Sequence, residues 1–158
     1  MRFRHELPEA VRALRLDERR LAWGVTDSGT AVVATPTSLL TGSLVLPWSS
    51  IAKVSWDQPV LTVREVAEVD RTGTAHRFAL VEDDRLAEVV RAQVTSSVAW
   101  TDIRRLEPAG KVRVVARRVP GEDALLWQTV WLEGTDPQDP LLRAQAVQLV
   151  ADLRGTIG

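Results

Sequence analysis

Ala75-His76-Arg77-Phe78-Ala79-Leu80-Val81-Glu82-Asp83-Asp84-Arg85-Leu86-Ala87-Glu88-Val89-Val90-Arg91-Ala92-Gln93-Val94 is the stretch on which the fold turns. Its first part, Ala75 to Leu80, reads as a strand entered from turn residues at Arg71-Thr72-Gly73. From Asp83 the period changes, because Leu86, Val89, Val90 and Val94 recur at helical spacing. Asp83 stands where an N-cap is needed, and Glu82, Asp84 and Glu88 lie near the positive end of the helix dipole. A helix over about 83–94 is therefore expected to pack its apolar face across the strands that precede it.

Upstream, strand signals follow one another closely: Arg20 to Thr26, Thr30 to Thr35, Leu39 to Leu46, Ser50 to Trp56 and Val60 to Val66. Turn chemistry at Asp27-Ser28-Gly29, Gly42 and Gln58-Pro59 separates them. With Ala75 to Leu80 these make six short strands joined tightly, which predicts antiparallel neighbours. Ahead of them Pro8 opens a short helix through Leu14, with Leu7, Val11 and Leu14 on one side.

Downstream, Val98 to Leu106, Lys111 to Val119 and Ala124 to Leu132 read as a meander joined by Glu107-Pro108-Ala109-Gly110 and Pro120-Gly121-Glu122-Asp123. A last helix is expected from Pro140 to Arg154, with Leu142, Ala146, Leu149, Val150 and Leu153 as its stripe. Asp136 or Asp139 caps it and Gly155 stops it. The predicted class is α+β, mostly antiparallel, with a barrel over 1–95 and a meander plus helix over 96–158 packed against it.

Composition narrows the chemistry. The chain has 158 residues and no cysteine, so thiolate nucleophiles, disulfides and sulfur-ligated zinc are excluded. With His5 and His76 as the only histidines, a multi-histidine metal site is excluded within one chain, and no cofactor is expected. A net charge of −1 supplies no field for nucleic acid or an anionic membrane. Lys53 and Lys111 are the only lysines among 20 basic residues, leaving 18 arginines, and tyrosine and asparagine are absent. That is the mark of GC-rich codons, so the arginine excess is not itself a phosphate-binding signal. The first twenty residues hold no apolar run of signal-peptide or membrane-span length, and a cytoplasmic protein is expected.

The segment Leu46-Pro47-Trp48-Ser49-Ser50-Ile51-Ala52-Lys53-Val54-Ser55-Trp56 places a proline and an aromatic before a strand. In this, and in its six strands closed by a helix, the chain resembles the pleckstrin-homology-like (PH-like) barrel fold. With Leu125-Leu126-Trp127-Gln128 and Asp136-Pro137-Gln138-Asp139-Pro140, the whole chain also resembles small actinobacterial proteins. The PH-like resemblance implies a bent antiparallel barrel and supplies no catalytic residue. Relatives of that fold bind phosphoinositides through a basic early hairpin loop, whereas the loop here, Asp27-Ser28-Gly29, is acidic, so that activity is not implied.

Val25-Thr26-Asp27-Ser28-Gly29-Thr30-Ala31 has the Asp-Ser-Gly-Thr form of aspartic peptidases. In those enzymes two aspartates share a proton across an axis, so a single copy requires a symmetric dimer. Ordinary hairpin chemistry explains the same residues. A second candidate is the hairpin face through Arg104 and Arg113. If Leu106 lies opposite Lys111, Trp100, Arg104, Arg113 and Arg117 share one surface that can grip a phosphate or carboxylate and stack a base. A solvated sheet face with Asp102 offsetting the charge is the simpler reading, since codon bias already explains the arginines, and Ala99, Ile103, Val112, Val114 and Ala116 then point inward.

Trp48 and Trp56 read as core fillers, and His76 as a surface strand residue. Glu133, Asp136 and Asp139 lack the spacing of a calcium loop. No Gly-rich phosphate loop, nucleophile elbow or His-Glu-x-x-His helix is present. The expected function is a non-enzymatic intracellular interaction or scaffold module. An Asp27 peptidase and anion or nucleic-acid binding through Arg104, Arg113 and Arg117 are the alternatives. Alternation along Ala124 to Leu132 puts Leu126, Gln128, Val130 and Leu132 on one side and Leu125, Trp127, Thr129 and Trp131 on the other. Neither side is polar enough to face water, so Trp127 and Trp131 are interface candidates, and a protein partner or a homodimer is expected.

Overall fold

The computed structural model describes residues 7–66 and 73–157, so His5 and the expected turn residues Arg71 and Thr72 lie outside the described residues. A one-turn helix α1 (Glu9–Arg12) precedes strands β1 (Ala22–Thr26), β2 (Ala31–Ala34), β3 (Ser38–Thr41) and β4 (Leu44–Pro47). A 3-10 turn, Trp48–Ser50, leads to β5 (Ile51–Asp57), β6 (Val60–Glu65) and β7 (Ala75–Asp84). Helix α2 (Leu86–Ser96), strands β8 (Val98–Arg105), β9 (Lys111–Arg118) and β10 (Leu125–Trp131), and helix α3 (Pro140–Ile157) complete the order.

The first seven strands form one antiparallel sheet in the order β4-β3-β2-β1-β7-β6-β5, curled into a half-barrel. The segment expected as one strand from Leu39 to Leu46 is a hairpin. Gly42, at φ +55, turns the chain between β3 and β4 and pairs Leu40 with Val45. Leu86, Val90 and Val94 of α2 are buried against Val32, Leu39, Leu61, Val63 and Phe78, closing the half-barrel as its periodicity requires. Gly24 sits beneath this helix, where a Cβ would come within 2.9 Å of Leu86 Cδ2. Strand β7 runs on to Asp84, so Arg85, at φ +57, is the helix cap in place of Asp83. Asp83 still accepts the Leu86 N–H at 3.2 Å. Opposite this core, α1 covers Trp23, Ala31 and Val33 with Val11, so β2 is buried on both faces.

Strands β8 to β10 form a separate sheet in the order β10-β9-β8. Leu142, Leu149, Val150 and Leu153 of α3 pack with Leu106, Val112 and Val114 on one of its faces. The Asp139 carboxylate accepts the Leu141 N–H at 2.9 Å, making it the α3 cap. No helix among the described residues is long and apolar enough to cross a membrane.

Candidate functional site

The meander register decides where the candidate residues go. Gly110 takes φ +117 and its carbonyl accepts the Leu106 N–H, so Arg105, and not Leu106, lies opposite Lys111. A slip of one residue moves a whole strand's side chains to the other face relative to its neighbour. Trp100 and Arg104 therefore share the α3 face with Val112, Val114 and Ala116, whereas Arg113 and Arg117 point to the opposite face with Ile103. The four-residue cationic surface expected from the sequence is split. Arg104 donates from Nε to Asp102 at 2.9 Å, which offsets its charge locally. Ile103, expected inward, is 44% exposed.

Arg117 is the most informative of these residues because it is 5% exposed. Its Nε donates to Gln128 Oε1 at 2.8 Å, and its Nη1 donates to Ser97 Oγ at 2.7 Å and to the Val94 carbonyl at 3.3 Å. Gln128 in turn donates from Nε2 to the Ser49 carbonyl at 2.7 Å. Burial pushes the guanidinium below its ordinary pKa, and among the described residues no carboxylate pairs with it. Its charge instead meets the C-terminal carbonyl end of α2, where the helix dipole is negative. Arg117 and Gln128 thus act as a clip between the half-barrel and the meander, and Arg117 is buried within it.

The clip covers the middle of the meander's second face, where Val115, Arg117 and Gln128 are buried. Leu126 and Val130, at 42% and 40%, remain partly open beside it. Trp127 and Trp131 lie on the α3 face, packed with that helix and with Trp100, whose ring centroid is 6.0 Å from that of Trp127. Trp127 Nε1 is buried without a hydrogen-bond acceptor among the described residues.

Strand β10 is an edge, and its outer side is where the structure offers most. Leu132 donates its N–H to the Lys111 carbonyl, and the pairing with β9 runs without a bulge from Leu125 to Trp131. Ladder alternation then turns the backbone of Leu126, Gln128 and Val130 toward β9, and that of Leu125, Trp127, Thr129 and Trp131 outward. This edge is seven residues long and has neither charge nor proline, two of the devices that blunt an edge. Beside it, under α3, runs a groove of ≈ 370 Å³ lined by Trp127, Thr129, Trp131, Arg143, Val147 and Arg154 among others. Every charged side chain lining it is basic.

Arg143 and Arg154 were not singled out from the sequence, although their spacing of eleven residues, close to three helical turns, sets both on one side of α3. Asp27 occupies an exposed hairpin tip, where Gly29 takes φ +83 and the Thr26 and Ser28 hydroxyls bond each other at 2.9 Å. His76 pairs with Glu65 at 2.8 Å on the β6–β7 ladder. Among the described residues no group of three or more His, Asp or Glu side chains gathers to hold a metal. No family model, no curated protein and no solved structure matches the chain.

Proposed function

We propose that this chain is a non-enzymatic interaction module acting inside the cell, and that it takes up an extended segment of a partner as a fourth strand on β10. The observation that carries the reading is the long, uncharged edge of β10, whose outward amides stand beside the groove under α3. Strand addition gains affinity from main-chain hydrogen bonds and specificity from the pockets that alternate side chains enter. The exposed Leu126 and Val130 on one face and the groove on the other match those two requirements. A second copy of the chain is the other source of an added strand, so self-association is a form of the same proposal.

Thr129→Pro tests it. The Thr129 N–H points outward, so proline removes a bond to the added strand without breaking the ladder to β9. Octapeptides selected from a random displayed library on the natural chain should bind Thr129→Pro at least about tenfold more weakly, with an unchanged urea midpoint. Failure to select any peptide, or binding indifferent to the proline, counts against strand addition.

A further inference from the structure

We infer that the strand accepted by β10 is an acidic segment of another protein, carrying two carboxylates about four residues apart on the face turned toward α3. The inference rests on the reading of β10 as a strand acceptor and adds the chemistry of what it accepts.

Charge is the first ground. Arg143 and Arg154 both line the groove, and among the described residues neither side chain is hydrogen-bonded or ion-paired. Two guanidiniums bordering an indole-lined groove with no acidic lining residue make a field that favours carboxylates and repels a basic segment. Distance is the second ground. Eleven residues of helix separate the two arginines, roughly 16 Å at 1.5 Å per residue. A strand advances roughly 3.3 Å per residue, so side chains four apart on one face span about 13 Å and lie within reach of two long guanidinium arms. The other face of the added strand lies beside Leu126 and Val130, so intervening apolar residues complete the pattern.

A second copy of this chain fits less well. Its own β10 is uncharged, and its α3 brings the same two arginines toward the first pair. Duplex nucleic acid fits less well still, because a groove of ≈ 370 Å³ between a strand edge and a helix is too small for a base-paired helix.

The test uses the full chain and a fluorescein-labelled probe, acetyl-Thr-Glu-Val-Thr-Val-Glu-Val-Thr-amide, against the same peptide with both Glu replaced by Lys. Fluorescence anisotropy should show the acidic probe bound at least about tenfold more tightly, with the difference shrinking as salt rises. The Arg143→Glu and Arg154→Glu double substitution should reverse the preference, a gain for the Lys probe that a misfolded variant cannot produce. Equal binding of the two probes, or a preference the double substitution leaves unchanged, overturns the acidic assignment while leaving strand addition standing. Failure of both probes overturns it as well, and strand addition then falls if the peptide selection also fails or its peptides bind Thr129→Pro as well as the natural chain. A two-chain mass by light scattering at micromolar concentration, lost in Thr129→Pro, overturns it in favour of a second copy.

Discussion

Replacing Arg117 by Met keeps the aliphatic stem in place and removes the guanidinium that clips the meander to the half-barrel. Three bonds are lost, to Gln128, Ser97 and the Val94 carbonyl, the last of them long at 3.3 Å. The Val94 carbonyl keeps the Ser97 N–H and hydroxyl as donors, so it is not orphaned. Gln128 Oε1 loses the only partner found for it among the described residues, while its Nε2 keeps the Ser49 carbonyl. Two good charge-assisted bonds contribute roughly 1.5 to 3 kcal/mol each, and an orphaned buried acceptor costs roughly 1 to 3 kcal/mol. Against these stands relief of the guanidinium's desolvation, the effect that lowers its pKa. The balance is a loss of about 2 to 4 kcal/mol, a drop of about 1 M or more in the urea midpoint for a slope of roughly 2 kcal/mol per M. Urea titration followed by tryptophan fluorescence and far-ultraviolet circular dichroism measures it. A loss under about 0.5 kcal/mol would show that the clip contributes nothing to stability, and the account of Arg117 would be wrong.

Leu86→Ala should cost roughly 2 to 4 kcal/mol and Val90→Ala somewhat less, since both are fully buried where α2 closes the half-barrel; thermal unfolding reads the difference. Asp27→Ala should shift stability by less than about 0.5 kcal/mol, because the turn is held by Thr26, Ser28 and Gly29; peptidase activity that disappears in this variant would revive the catalytic reading. Gly110→Ala should destabilise the chain by about 1 to 3 kcal/mol, since φ +117 is unfavourable for alanine and its Cβ would come within 2.9 Å of Thr135; an unchanged urea midpoint would contradict the register drawn for β8 and β9.

Much of this fold is legible because apolar period and turn chemistry are local. The shift from strand to helix near Asp83, the α3 stripe and the meander could all be read that way. What escaped depends on single residues in special geometry. Gly42, legible as a turn residue but placed inside one expected strand, splits that strand into two, and Gly110 shifts the meander register by one and so separates Arg104 from Arg113. Neither effect is visible in a pattern of apolar spacing. The second face of β10 looked bare in sequence because its cover, the Arg117 and Gln128 clip, is polar and draws its acceptors from Ser49, Val94 and Ser97 far away in the chain. Arg143 and Arg154 were hidden among codon-driven arginines, and only the groove beside β10 sets them apart.

Residue-resolved amide exchange by NMR on the uncombined chain reads whether β10 presents a free hydrogen-bonding edge. A free edge gives alternation, with the amides of Leu126, Gln128 and Val130 protected by β9 and those of Trp127, Thr129 and Trp131 exchanging fast. Uniform protection along β10 in the monomeric chain would mean that the edge is already covered and that β10 accepts no further strand.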